Sequence, residues 1–309
     1  MENEMAFDIR VQGLKKRFGR VTAVDGLDLG VDEGEMMGLI GPDGAGKTTL
    51  LRILCGLFHA DAGECRVGGL NVTGEIRAIR SIVGYMPQRF SLYPDLTVSE
   101  NLRFFADLFQ VGSRDREDRM VRLLEFSRLG PFMKRRASAL SGGMKQKLAL
   151  SCTLIHTPRI LLLDEPTTGV DPLSRREFWT ILNELRSEGV TLLITTPYMD
   201  EAARCDRVAF IYKGRILLTG KPEEIAGMYQ KTLLEVRCQD NVQAARLLDG
   251  EPRLDSIHIF GDRIHVGGSL GADSLEKSIR RCLESGGIRL ESIRKIRAGI
   301  EDVFVDRLK

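Results

Sequence analysis

The densest chemistry in the chain lies in Gly41-Pro42-Asp43-Gly44-Ala45-Gly46-Lys47-Thr48-Thr49. This run fits G-x-x-x-x-G-K-[ST], in which glycines let backbone N–H groups converge on phosphate oxygens. Lys47 is then placed to reach the β- and γ-phosphates, and the Thr48 hydroxyl to bind Mg²⁺. A second cluster, Asp164-Glu165-Pro166, follows the apolar run Ile160-Leu161-Leu162-Leu163. A continuously apolar run reads as a buried parallel strand, and ligands sit beyond the carboxyl ends of such strands. Asp164 is therefore expected to hold Mg²⁺ through its hydration shell, and Glu165 to polarise an attacking water. The competing reading, a helix N-terminus decorated with acids, fits poorly with Pro166 and the strand-like run. A third cluster, Leu140-Ser141-Gly142-Gly143-Met144, opens an amphipathic segment and forms a second anion-facing helix start. These clusters together predict a protein that binds a nucleoside triphosphate.

Positioning these groups requires particular elements. Met36-Met37-Gly38-Leu39-Ile40 reads as a buried strand entering the glycine loop, and Leu50, Ile53, Leu54 and Leu57 mark one face of a helix leaving it. From Phe7 to about Tyr229, short apolar strands alternate with amphipathic helices, the pattern of an α/β domain with a largely parallel sheet. Residues 160–163, 191–195 and 208–212 read as strands, and 98–109, 144–156 and 173–188 as helices. The pattern changes after Gly227, and a boundary near 230 separates a first domain, 1–230, from a second, 231–309. In the second, strands at 233–238, 256–260, 263–266 and 290–296 and helices at 241–248 and 274–283 give the order β-α-β-β-α-β. That is the small α+β, ferredoxin-like arrangement.

Composition sets the outer limits. A length of 309 residues suggests about two domains, and 43% hydrophobic with 28% charged residues describes a globular chain with ample core. A net charge of +2, with both signs interspersed, offers no electrostatic case for nucleic acid. Cys55, Cys65, Cys152, Cys205, Cys238 and Cys282 form no C-x-x-C pair and read as buried reduced thiols. Met1-Glu2-Asn3-Glu4 lacks the apolar core of a signal peptide, and no run approaches the ~18 apolar residues of a membrane span. The expectation is a cytoplasmic chain whose membrane attachment comes through a partner.

The order of motifs narrows the class. Gly41–Thr49 is followed by Gln88 in Tyr85-Met86-Pro87-Gln88, then by Leu140-Ser141-Gly142-Gly143, Asp164-Glu165 and Gly169-Val170-Asp171. Over about residues 7–230 this resembles the ATP-binding subunit of ABC transporters. The resemblance implies a P-loop NTPase of ABC-cassette type: a mixed-sheet core and a helical subdomain at about 90–157, followed here by the ferredoxin-like domain. It further implies that Phe18 stacks on adenine, that Gly41, Pro42, Asp43, Gly44, Ala45, Gly46, Lys47, Thr48 and Thr49 bind ATP, and that Gln88 joins Thr48 and Asp164 at Mg²⁺. Ser141, Gly142, Gly143 and Asp171 would contact ATP in trans, across a head-to-tail dimer with a second ATPase chain, the same or different. A membrane permease would dock around Gln88, placing the chain on the inner face of the membrane. Phe104, Phe105 and Phe109 lie in that region, although their helical spacing favours core packing. Residues 92–98 also look like this family. Pro197-Tyr198-Met199-Asp200-Glu201 and Gly299-Ile300-Glu301-Asp302-Val303-Phe304-Val305 resemble segments of the multidrug, ABC-2-type exporter group.

One position departs from the family. After the strand at 191–195 the family carries a histidine that contacts the γ-phosphate and the attacking water; here Pro197 stands in that slot. Proline has neither a side-chain donor nor a backbone N–H. His59, His156, His258 and His265 lie elsewhere, and His156 reads as a local helix-end contact. Glu165 remains as catalytic base, so ATP binding is expected intact and hydrolysis slow. The alternative is a low-turnover clamp, or a degenerate partner in a two-ATPase complex. A soluble ATPase acting on DNA or ribosomes is disfavoured by the short span from Lys47 to Ser141, by the single cassette and by the balanced charge. The second domain reads as a cap for a dimer or permease, with a small-molecule regulatory site as its alternative.

Overall fold

The computed structural model describes residues 7–89 and 92–307. Residues 90 and 91, where the predicted helical subdomain begins, lie outside the described residues.

The chain opens with a long hairpin, β1 (Phe7–Phe18) and β2 (Val21–Asp32), and β3 (Met36–Ile40) then enters the glycine loop before α1 (Lys47–Leu54). Next come β4 (Ala62–Val67), β5 (Leu70–Asn71), α2 (Ile76–Ile82) and β6 (Val83–Met86). A helical stretch follows: α3 (Val98–Leu108), α4 (Ser113–Phe126) and α5 (Gly142–Leu154). The α/β pattern resumes with β7 (Ile160–Asp164), α6 (Pro172–Ser187), β8 (Thr191–Thr196), α7 (Met199–Ala202), β9 (Arg207–Tyr212) and β10 (Arg215–Gly220). The remainder is α8 (Pro222–Gly227), β11 (Thr232–Cys238), α9 (Asn241–Leu248), β12 (Ser256–Phe260), β13 (Arg263–Gly268), α10 (Ala272–Ser285), β14 (Leu290–Lys295) and α11 (Ile300–Arg307).

Two sheets build the first unit. The larger has the order β10-β9-β3-β8-β7-β6, parallel throughout except for β10 at its edge. Its central strands β3, β7 and β8 are buried at every position, as expected of parallel strands covered on both faces. The smaller sheet, β2-β1-β4-β5, is antiparallel and came as a finding, since the sequence reading gave no strands to residues 7–35. Its signal is the alternation of Ile9, Val11 and Leu14 on β1 with Val24, Leu27, Leu29 and Val31 on β2, interrupted by register shifts that hide the period. These side chains share one core with α1, Met37, Leu39, Leu162 and Leu193. At α1 the expectation fails in one detail. Gly56 (φ 64°) turns the chain away just after the helix ends at Leu54, so Leu57 is exposed and Leu51 takes the buried place.

The helical subdomain has its own core, from Val98, Leu102 and Ala106 to Leu148, Cys152 and Ile155. Thr97 caps α3 through a reciprocal capping box with Glu100. Fully buried Asn101 holds the preceding loop by accepting from Tyr93 N and donating to the carbonyls of Tyr93, Leu96 and Thr97. Phe105 packs on this core, Phe104 lies at 4.4 Å from the Tyr93 ring, and exposed Phe109 stacks on His156, whose Nε2 meets Val83 O. All six cysteines are free, five of them buried, and burial pushes the Cys55, Cys152 and Cys205 thiols up.

The second unit begins at Lys221, about ten residues before the boundary read from the sequence, because α8 packs on α11. Its antiparallel sheet runs β12-β13-β11-β14, the strand order of a ferredoxin-like fold, and α9 and α10 cover one face. Lys231 pairs with Asp306, and His265 Nδ1 lies 2.7 Å from Asp302.

Candidate functional site

The parallel sheet determines what meets what. In register, Ile40 of β3 lies beside Thr196 of β8, Asp164 of β7 beside Thr195, and Met86 of β6 beside Leu163. The loops beyond four neighbouring strands therefore open on one edge. They carry the glycine loop, the Thr196–Tyr198 segment, the two carboxylates and Gln88 respectively.

Gly46 is the N-cap of α1 at φ 110°, and a Cβ there would lie 2.4 Å from Ala23 O. Only glycine fits that turn and that approach. Lys47, 4% exposed, points back under its own loop and donates to Gly41 O at 2.7 Å and Pro42 O at 3.2 Å. Its Nζ also lies 3.3 Å from Glu165 Oε1. Thr48 Oγ1 donates to Asp164 Oδ1 at 3.1 Å, and Thr195 Oγ1 donates to the same oxygen at 2.8 Å. Asp164 Oδ2 is buried without a hydrogen-bond partner among the described residues. Burial pushes the Asp164 carboxyl above its ordinary range, against the pull of the Thr195 and Thr48 hydrogen bonds.

Glu165 adopts a left-handed backbone, φ 47°, at a strain of about 1–2 kcal/mol for a residue with a side chain. Its amide donates to Thr195 O at 3.1 Å and Thr195 Oγ1 at 2.9 Å, which holds the turn. The side chain, 7% exposed, has both oxygens engaged: Oε1 with Lys47, Oε2 with Gln88 Nε2 at 2.9 Å and Thr168 Oγ1 at 3.4 Å. Thr48 thus meets Asp164 beside its orphaned carboxylate oxygen, and Gln88 meets the adjacent Glu165. A hard divalent cation with oxygen ligands suits this donor set.

The other predicted residues separate into two places. Ser141 caps α5, its hydroxyl accepting from Met144 N at 3.3 Å, so the helix starts at Gly142, two residues before the expected start at 144, and ends at Leu154. A Cβ on Gly143 would sit 2.3 Å from Ser174 Cβ, so α5 lies directly against the first turn of α6. Asp171 caps α6 through Ser174 N at 2.9 Å, and the Ser174 hydrogen bonds hold its carboxyl below the ordinary range. Ser141, Gly142 and Asp171 therefore form one exposed surface, with Gly143 buried against Ser174. Among the described residues no hydrogen bond or ion pair joins it to Lys47, Thr48, Asp164 or Glu165. Gln88 and Gly142 line a common cleft of 400 Å³ with Lys145 and Ala149. Phe18 ends β1, 44% exposed and edge-on to Phe58 at 5.4 Å. Pro197 is exposed just beyond β8.

Sequence reasoning missed Thr195 and Thr168. Thr195 reaches Asp164 through the register of β8 on β7, which has no local signature, whereas Thr168 reaches Glu165 within the turn that follows β7.

The chain is similar to known proteins over its first unit and beyond it. A family model described as "ABC transporter" matches residues 24–168. The probable multidrug ABC transporter ATP-binding protein of Escherichia coli (strain K12) is 49% identical over 219 residues, 70% of this chain and 38% of that relative. The chain thus spans well under half of that relative's length. A daunorubicin resistance ATP-binding protein of Streptomyces coeruleorubidus is 36% identical over 307 residues, covering 97% of this chain and 94% of the relative. Among solved structures, the dimeric post-hydrolysis state of an ATP-binding cassette bound to ADP and Pi matches with a TM-score of 0.63 and 26% identity, over 69% of this chain and 98% of that one.

Proposed function

The chain belongs to the ABC transporter family, among its ATP-binding proteins, and from that premise we propose that it binds Mg²⁺·ATP between two cassettes, hydrolyses it and powers a membrane exporter. The observation that carries this reading is the convergence of Lys47, Thr48, Asp164, Glu165 and Gln88 through contacts of 3.3, 3.1 and 2.9 Å.

In this reading the glycine loop and the start of α1 hold the phosphates, and Phe18 offers its exposed ring to adenine. Thr48, Asp164 and Gln88 hold Mg²⁺, which when bound offsets the charge of the β- and γ-phosphates. Lys47 is drawn from its carbonyl partners and from Glu165 towards those phosphates, because a polyanion outbids neutral carbonyls for an ammonium. That exchange frees Glu165 to take a proton from water as the water oxygen bonds to the γ-phosphorus. The bond to the β–γ bridging oxygen breaks, giving ADP and inorganic phosphate. Among the described residues no hydrogen bond or ion pair joins Ser141, Gly142, Gly143 or Asp171 to their own glycine loop, which supports their use on the nucleotide of a second chain.

Export is supported by the names of the multidrug and daunorubicin resistance relatives. No described helix is long and apolar enough to cross a membrane, and a permease seated on the cleft beside Gln88 would hold the chain at the inner membrane face. Pro197 favours slow hydrolysis: a missing transition-state donor raises the barrier by about 2.7–4 kcal/mol. The same residue supports the second reading, an ATP-dependent clamp or a degenerate half of a two-ATPase complex.

Mg²⁺-dependent ATP turnover by the chain, beside Glu165→Gln and Pro197→His, tests this. Slow turnover that disappears in Glu165→Gln and rises in Pro197→His is the expected result. ATP binding without turnover in all three would favour the clamp, and absence of ATP binding would refute both.

A further inference from the structure

Glu201 lies in the single turn of α7 and is 1% exposed. Each oxygen of its carboxylate reaches a different segment, the turn after β7 and the end of β8. Oε1 accepts from Thr167 Oγ1 at 2.6 Å, and Oε2 accepts from Thr196 Oγ1 at 2.6 Å. Thr167 stands on the turn that Glu165 begins. That turn is closed by Thr168 N donating to Glu165 O and by the Thr168 hydroxyl on Glu165 Oε2. Thr196 ends β8, immediately before Pro197, and its hydroxyl also accepts from Tyr198 N at 3.0 Å. Because Pro197 has no N–H to anchor the segment, the loop is fixed through the residues on either side of it, and both run to Glu201.

The connection extends towards the exposed Asp171 surface. Arg175, in the first turns of α6, places Nε 3.8 Å from Glu201 Oε1, and its guanidinium lies over the Tyr198 ring at 5.0 Å. A carboxylate buried this completely carries a desolvation cost that an apolar residue would avoid. Its two short hydroxyl bonds span the gap between the catalytic turn and the loop beside it.

We propose that Glu201 is a positioning residue for ATP hydrolysis: it clamps the Glu165–Thr168 turn to the Thr196–Tyr198 loop and so fixes where the Glu165 carboxylate points, without touching nucleotide. The inference rests on the ATPase reading above. It predicts that the loss of Glu201 acts through Glu165 and leaves ATP binding alone, since among the described residues Lys47 and the glycine loop share no hydrogen bond or ion pair with it.

The experiment measures steady-state ATP turnover and the binding of a fluorescent ATP analogue for the full chain. The variants are Glu201→Ala, Glu201→Gln and Glu201→Asp, together with Glu201→Ala combined with Glu165→Gln. A misplaced catalytic group lowers kcat by about 10- to 100-fold; Glu201→Ala should do this with KM for ATP changed by less than about twofold. Glu201→Gln can still bond both hydroxyls and should recover most of the turnover. Glu201→Asp keeps the charge but is too short to span them, so it should lose kcat while folding normally, which covers the case of an unfolded alanine variant. In the Glu165→Gln background, where turnover is already abolished, Glu201→Ala should leave binding of the ATP analogue unchanged. Normal turnover in Glu201→Ala and Glu201→Asp would overturn the clamp, as would a parallel loss of ATP binding in either the wild-type or the Glu165→Gln background. A wild-type chain without Glu165-dependent turnover would instead refute the ATPase reading, and the clamp's catalytic role with it.

Discussion

Replacing Thr195 by valine is the sharpest probe of how the carboxylates are held. The side chain is fully buried, and valine fills nearly the same volume, so the change deletes hydrogen bonds and little packing. Two bonds disappear: Thr195 Oγ1 to Asp164 Oδ1 at 2.8 Å, and Glu165 N to Thr195 Oγ1 at 2.9 Å. The first is to a carboxylate whose other oxygen is already without a partner, and bonds to charged groups contribute about 1.5–3 kcal/mol. The second is only partly lost, because Glu165 N keeps Thr195 O at 3.1 Å. Together they amount to about 2–3 kcal/mol, a shift of roughly 1 M in the urea midpoint. The Asp164 carboxyl, already raised by burial, should rise further once this bond that lowers it is gone. Urea unfolding with and without Mg²⁺ and ATP reads the effect, and the gap should narrow when both are present, since a cation replaces the charge support of the lost hydroxyl proton. Unchanged stability would mean that Thr195 does not support these carboxylates and that the picture of the β7–β8 junction is wrong.

Other outcomes follow from single contacts. Lys47→Ala should abolish ATP binding, measured with a fluorescent analogue, while the circular dichroism spectrum stays native; unchanged affinity would refute the assignment of the glycine loop. Gly143→Ala should destabilise the first unit by about 1–3 kcal/mol through overpacking against Ser174, and a neutral effect on the urea midpoint would contradict the direct contact of α5 with α6. Glu235 is held below its ordinary value of 4.5, first by its hydrogen bond to Arg294 and then by the one to Arg263. A depressed carboxyl contributes stability that is present above 4.5 and lost as the pH falls through its folded value. Thermal melts of Glu235→Gln should therefore lie below wild type at neutral pH and converge with it in acid; a constant difference across that range would remove Glu235 from the pH response.

Much of this protein was legible in its residues because the relevant signals are local. The glycine loop and its lysine, the apolar run ending in Asp164-Glu165 and the Ser141 helix start each combine a short motif with a backbone requirement, and each lies in the element expected of it. The β-α-β-β-α-β order of the second unit followed from period and turn chemistry in the same way. The hairpin of residues 7–32 was not read, because its bulges break the alternation that marks a strand. Leu57 was misplaced because apolar spacing continues past Gly56 while the helix does not. The boundary at Lys221 depends on α8 meeting α11, which are separated by most of the second unit's sequence.

The sequence by itself determined the chemistry available: phosphate-facing glycines, one lysine, two adjacent carboxylates, and a proline where the family has histidine. Only the tertiary structure decided how those groups are held. Thr195 reaches Asp164 because β8 lies in parallel register with β7, and Glu201 joins Thr167 to Thr196 because one helical turn carries it back over the turn after β7 and the end of β8. Strand register and chain return are set by the packing of distant segments, so no run of neighbouring residues can encode them.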